Sequence, residues 1–244
     1  MLALKIIGIV ILSILGVIIL YGFFLWFISI FVKKGKIYDK FSPFYYGALQ
    51  SVTFLIRFVA RIKIVKVGFE KIPKDGKFLL VCNHTSDFDS ILGWSMFRKK
   101  RLIFVSKQEN FSWPIFGRYL SKCTFLGIDR SDPKQSTKIL HRVQEMLSGD
   151  TNSVAIYPEG TRNKEPEKGL LPFHDGIFRP AMKAKRPIVV MTVRDAIKVK
   201  DNFPKRASRV EFHIVDVIMP EEMEGESTHS ISARARQKME EDLY

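Results

Sequence analysis

The hydrophobic pattern changes character along the chain. Ile6 to Val32 runs 27 residues without a charge. As a helix that run is about 40 Å long, enough to cross a bilayer core of about 30 Å with some tilt. It is too long for a cleaved leader, and Phe23, Phe24, Trp26 and Phe27 fill the end where such a leader carries small residues. Between Pro43 and Arg61 the apolar positions Phe44, Ala48, Val52, Leu55 and Val59 recur at helical spacing, with Tyr46, Gln50, Thr53, Arg57 and Arg61 opposite. Its charge-free part is short for a span, which predicts an interfacial or re-entrant helix beside the first. The competing reading of this segment is a core helix of the following domain.

From Ile62 onward strands and helices alternate. Short apolar runs predict strands at Phe78–Cys82, Arg101–Ser106, Thr124–Ile128, Ser153–Tyr157 and Ile188–Val193, and Val210–Ile218 alternates like an edge strand. Helical patterns cover Asp89–Arg98, Trp113–Leu120, Pro133–Leu147, Gly176–Lys183 and Ile231–Asp242, the last with Ser230 placed to cap it. This order predicts an α/β fold, a mixed, mostly parallel sheet flanked by helices. It sits behind the N-terminal membrane helix and the second, interfacial or re-entrant helix. The division is a membrane-anchoring segment over 1–61 and an α/β domain over 62–244.

Charge sharpens the picture. Lys and Arg number 39 against 25 Asp and Glu, a net charge of +14. An anionic partner follows: nucleic acid, anionic lipid or a phosphorylated substrate. Lys33, Lys34, Lys36 and Lys40 follow the apolar run while only Lys5 precedes it. The excess of basic residues places the domain on the cytoplasmic face of the membrane. No nucleic-acid motif is visible, and the apolar run argues against a basic, non-catalytic binding protein. Cys82 and Cys123 fall in no metal-binding spacing, and two cysteines make no disulfide scaffold.

Ligand chemistry in such sheets lies in loops at the carboxyl ends of strands. The first such loop is Asn83-His84-Thr85-Ser86-Asp87-Phe88-Asp89. His84 is a general-base candidate, and Asp89 could orient it across the turn into the helix. The plainer alternative is that Ser86 caps the helix with Asp89 as its capping-box partner and His84 is a polar loop residue. The second loop is Tyr157-Pro158-Glu159-Gly160-Thr161-Arg162. Gly160 permits close backbone approach of a ligand, Arg162 offers a fork for phosphate, and Glu159, which repels phosphate, suits the orienting of Arg162 or another base. Alone, this loop also reads as a tight turn with an exposed arginine. No G-x-S-x-G elbow supports a serine hydrolase.

Taken in order, these loops and three further blocks resemble the glycerolipid acyltransferase family. The blocks are His84-x4-Asp89, then Lys107 with Trp113-Pro114-Ile115-Phe116-Gly117, then Phe125-Leu126-Gly127-Ile128-Asp129-Arg130, then Glu159-Gly160-Thr161-Arg162, then Pro187-Ile188-Val189-Val190. The similarity spans about Gly68 to Val193 and is strongest to the 1-acylglycerol-3-phosphate (lysophosphatidic acid) acyltransferases. It departs where relatives carry a second proline near Val190 or Met191, and where they carry Lys or Arg at the position of His174. The resemblance implies direct transfer of a fatty acyl group from acyl-CoA or acyl carrier protein to the sn-2 hydroxyl, giving phosphatidic acid. His84 and Asp89 would be catalytic. Lys107, Arg130 and the loop Glu159, Gly160, Thr161, Arg162 would form the phosphate-binding set. No metal and no resident cofactor are implied. The implied acceptor is lysophosphatidic acid held in the bilayer, with glycerol-3-phosphate or another lysophospholipid as alternatives.

Overall fold

The computed structural model describes residues 1–244. Helix α1 (Leu2–Ile30) is the long apolar run, and only Ile28 and Ser29 at its end are buried by the rest of the chain. It is long and apolar enough to cross a membrane. Three carbonyls near its end find side-chain partners: the hydroxyls of Tyr45 and Tyr119 donate to Ile28 and Leu25, and Arg118 donates to Ser29.

Helix α2 (Pro43–Val59) turns its more polar stripe inward. Tyr46, Leu49 and Thr53 are buried, and the Tyr46 hydroxyl donates to the Leu102 carbonyl. Phe44, Phe54 and Phe58 are exposed. A core helix would do the reverse, so α2 covers the domain with one face and leaves an aromatic face uncovered.

Seven strands form one sheet in the order β1-β7-β6-β2-β5-β3-β4. They are β1 (Ile62–Val67), β2 (Leu79–Cys82), β3 (Ile103–Lys107), β4 (Leu126–Ile128), β5 (Val154–Ile156), β6 (Ile188–Arg194) and β7 (Ser208–Ile218). Strands β6, β2, β5, β3 and β4 run parallel; β7 is antiparallel to β6, and β1 runs parallel to β7. Leu80, Cys82, Phe104, Ala155 and Val189 face a core shared with α2, α3 (Asp87–Met96) and α4 (Phe116–Lys122). Leu79, Val81, Ile103, Val154 and Ile188 face a second core shared with α5 (Pro133–Ser148), α6 (Arg179–Ala184) and α8 (Thr228–Leu243). Helices cover both faces, so the central strands read as continuous apolar runs. A short helix, α7 (Lys198–Asn202), lies in the turn from β6 to β7.

Two expectations are corrected. Val210–Ile218 is not an edge strand: β7 lies between β1 and β6. It alternates because Val210, Phe212 and Ile214 enter the core while Glu211 and His213 face the polar end of α8. Helix α8 starts one turn earlier than expected, capped by Ser227, whose hydroxyl accepts from the Ser230 amide. Its first turn, Thr228-His229-Ser230, is polar, so hydrophobic periodicity begins too late to mark it.

The glycines of the middle blocks serve packing. A Cβ at Gly117 would lie 2.3 Å from the Phe111 carbonyl oxygen, and one at Gly127 would lie 3.0 Å from the Phe111 ring. Both pack around the 3-10 turn Gln108–Ser112 that follows β3. Because the obstacle at Gly117 is backbone, Gly117→Ala is expected to destabilise the fold by about 2–3 kcal/mol. Urea unfolding in detergent checks this; a variant as stable as wild type would contradict the contact.

Candidate active site

The five parallel strands end at one edge of the sheet. His84 follows β2 and Glu159 follows β5, its immediate neighbour. Lys107 ends β3, and Arg130 follows β4 at the far edge.

Helix α3 builds the first part of the site. Ser86 is its N-cap, and its hydroxyl accepts from the Phe88 amide at 3.3 Å. Asp89 closes the capping box, with Oδ2 accepting from the Thr85 and Ser86 amides at 2.6 and 2.7 Å. The same oxygen lies 3.0 Å from Nδ1 of His84. The two readings of this loop are therefore both realised: the capping box aims the carboxylate at the histidine. A carboxylate only accepts, so Nδ1 carries the proton and Nε2 is left with its lone pair. Asp89 is buried, its Oδ1 has no hydrogen-bond partner, and the His84 side chain keeps 13% of its surface.

The imidazole is also held from its face. The Tyr157 ring stacks on His84 with centroids 3.8 Å apart and planes 11° from parallel. Its hydroxyl shares a 2.7 Å hydrogen bond with Ser90 of α3. Burial pushes the Tyr157 hydroxyl well above its ordinary value, so it stays neutral. Sequence reading placed Tyr157 in the loop without assigning it a role; its position two residues before Glu159 was the available signal.

Both carboxylate oxygens of Glu159, counted in the phosphate-binding loop and also read as suited to orienting a base, are taken by backbone amides. Its Oε1 accepts from the His84 amide and its Oε2 from the Leu171 amide, both at 2.9 Å. The His84 carbonyl accepts from the Asn163 amide at 2.7 Å. Both backbone groups of the histidine are thus fixed by the loop after β5. Burial raises the Glu159 carboxyl, opposed by the Leu171 and His84 hydrogen bonds. Gly160 has φ +68°, and the group that comes close to it is the His174 ring, 2.8 Å from where a Cβ would sit. Asn83 clamps β6, exchanging hydrogen bonds with the Val193 amide and carbonyl at 2.7 and 2.9 Å.

Arg162 is exposed and pairs with Asp87 at 2.7 Å; Lys200 lies 3.5 Å from the same oxygen. Thr161 is exposed beside it. Sequence reading missed Lys200, which lies beyond every block. Lys107 and Arg130 are not gathered with these residues. They line a separate cleft of about 230 Å³ with Glu109 and Asp129. Lys107 pairs with Glu109 at 2.8 Å. From β2 to β4 is three strand spacings, about 14 Å.

An apolar cleft of about 450 Å³ opens beside the first loop. Leu55, Ile56 and Val59 of α2, Phe88 of α3, and Val199 and Phe203 around α7 line it, with Lys200 at its polar side. Cys82 and Cys123 are buried free thiols, and burial pushes both above their ordinary values, which leaves them unreactive.

Residues 63–194 match the family model described as Acyltransferase, more than half of the chain. The chain belongs to the acyltransferase family. A 1-acyl-sn-glycerol-3-phosphate acyltransferase of Helicobacter pylori is 31% identical over 151 residues, 61% of this chain and 62% of that protein. A chloroplastic enzyme of the same description from Arabidopsis thaliana is 30% identical over 183 residues, 74% of this chain and 49% of that protein. The aligned region is thus about half to three-fifths of these relatives' length. The solved structure of the 1-acyl-sn-glycerophosphate (LPA) acyltransferase PlsC from Thermotoga maritima matches with a TM-score of 0.61 at 20% identity, covering 92% of this chain and 87% of that one. That likeness shows the same fold.

Within this acyltransferase fold Glu159 is a buried acceptor for two amides. Glu159→Gln leaves one of them facing an amide NH2, at a cost of about 1–3 kcal/mol. Thermal and denaturant unfolding should show that loss; an unchanged midpoint would contradict the buried acceptor role.

Proposed function

We propose that this chain transfers a fatty acyl group from an acyl thioester to the sn-2 hydroxyl of 1-acylglycerol-3-phosphate, forming phosphatidic acid. The observation that carries the reading is the His84–Asp89 pair, with Nε2 of His84 free at the carboxyl edge of the sheet. The names of the Helicobacter and Arabidopsis relatives support the acceptor.

Nε2 of His84 takes the proton of the glycerol hydroxyl as that oxygen attacks the thioester carbonyl. Asp89 steadies the imidazolium. The tetrahedral adduct collapses to the ester, the thiolate leaves, and the imidazolium returns its proton to it. No thiol or hydroxyl of the chain need carry the acyl group.

Arg162 and Lys200 share Asp87, which leaves the trio with one net positive charge for the acceptor phosphate. The apolar cleft beside Lys200 suits an acyl chain. Lys107 and Arg130 form a second cationic place along the same edge, within reach of a long phosphorylated donor or of the acceptor phosphate. Acyl-CoA and acyl carrier protein both present a thioester on a phosphopantetheine arm, and either serves as donor. The active edge works at the cytoplasmic face of the membrane, with α1 as the anchor. The outward aromatics of α2 lie at the lipid interface, and the positive net charge favours anionic headgroups.

The test is acyl transfer from a long-chain acyl-CoA to 1-acylglycerol-3-phosphate in mixed micelles. His84→Ala should lower turnover by about a thousandfold with the fold retained. A folded wild type that makes no phosphatidic acid from acyl-CoA or acyl carrier protein would overturn the reading; product from glycerol-3-phosphate or another lysolipid alone would reassign the acceptor. Arg162→Ala should raise the Michaelis constant for the acceptor more than it lowers turnover. An unchanged acceptor saturation curve would remove Arg162 from the phosphate site.

A further inference from the structure

Helix α8 lies outside the residues that match the family, yet one of its side chains reaches the backbone that holds His84. Nη2 and Nη1 of Arg236 donate to the Leu170 and Leu171 carbonyls, both at 2.8 Å. The Leu170 carbonyl and the Leu171 amide belong to one peptide group, and they point in opposite directions across its plane. The guanidinium grips one end of that peptide. Glu159 Oε2 grips the other, accepting from the Leu171 amide at 2.9 Å. The second oxygen of Glu159 then accepts from the His84 amide at 2.9 Å. The order is cation, peptide dipole, buried carboxylate, histidine amide. Charge-assisted bonds at both ends polarise the peptide between them, so each strengthens the next.

We propose that Arg236 is a positioning residue for the general base. It fixes the Leu170–Leu171 peptide, which fixes Glu159 and through it the backbone of His84. The proposal rests on His84 as the base of the acyl transfer. Its own geometry supports a purpose beyond anchoring the helix. Arg236 is itself braced, its guanidinium 5.5 Å from the Phe173 ring centre and its Nε 2.9 Å from Glu240. Arg234, two residues earlier, anchors the same helix elsewhere, to Asp216 and Glu222. Helix attachment is therefore provided independently of the path to His84.

The experiment compares Arg236→Met, Arg236→Lys and Arg234→Met in the full chain. The readouts are steady-state kinetics, unfolding and the backbone amide resonance of His84. With Arg236→Met, turnover should fall about tenfold to a hundredfold, the Michaelis constants of both substrates should hold within about twofold, and the His84 amide proton should move upfield as its bond to Glu159 weakens. Arg236→Lys keeps the charge and should restore part of the turnover. Arg234→Met should lower stability while leaving turnover and the His84 amide in place. An Arg236→Met protein with an unmoved His84 amide overturns the proposal, and so does a turnover loss that Arg234→Met reproduces. If the wild type transfers no acyl group, the assignment of the reaction fails, and the His84 amide still decides the coupling.

Discussion

One oxygen of Asp89 organises the site. It closes the first turn of α3 by accepting from Thr85 and Ser86, and it holds Nδ1 of His84. Helix capping and the orientation of the His84 ring therefore use the same carboxylate. Four residues, Asn83 to Ser86, join the strand end to the helix, and the five-residue step from His84 to Asp89 brings the ring to the carboxylate. A buried anion that accepts from two amides and an imidazole is held by charge-assisted bonds in a medium that screens them little. The rest of the structure supplies walls for this arrangement. Tyr157 covers one face of the imidazole, and Glu159 and Asn163 take its amide and carbonyl.

The sheet decides what lies next to what. Strand β5 sits beside β2, so two loops 75 residues apart meet at the histidine. Strands β3 and β4 lie farther along the same edge, so Lys107 and Arg130 form a second place and not part of the first. The two N-terminal helices attach on the α3 side of the sheet. There α2 contributes both an uncovered aromatic face and a wall of the apolar cleft.

Much of this was legible in the residues. Alternating apolar runs marked the central strands, because a strand covered on both faces has no polar register to lose. Ser86, Asp89 and His84 were legible as a loop with two readings, since capping and base orientation call for the same residue types. Strand β1 and helix α7 were harder to see: β1 carries Lys63 and Lys66 among its apolar residues, and α7 has five residues, too few to show a period. The alternation of β7 looked like an edge because one of its faces meets the polar end of α8.

The sequence by itself determined the long apolar N-terminal helix, the α/β alternation, the loop that carries His84 and Asp89, and the family. Those features are local, set by periodicity, capping and spacing within a few residues. The tertiary structure decided that Glu159 accepts from the His84 amide, that Tyr157 stacks on the imidazole, and that Lys200 joins Arg162 at Asp87. It also decided that α2 turns its aromatics outward and that Arg236 reaches back to the loop after β5. Each of these depends on which strands become neighbours, and hydrogen bonds between residues far apart in the chain leave no periodic trace in the sequence.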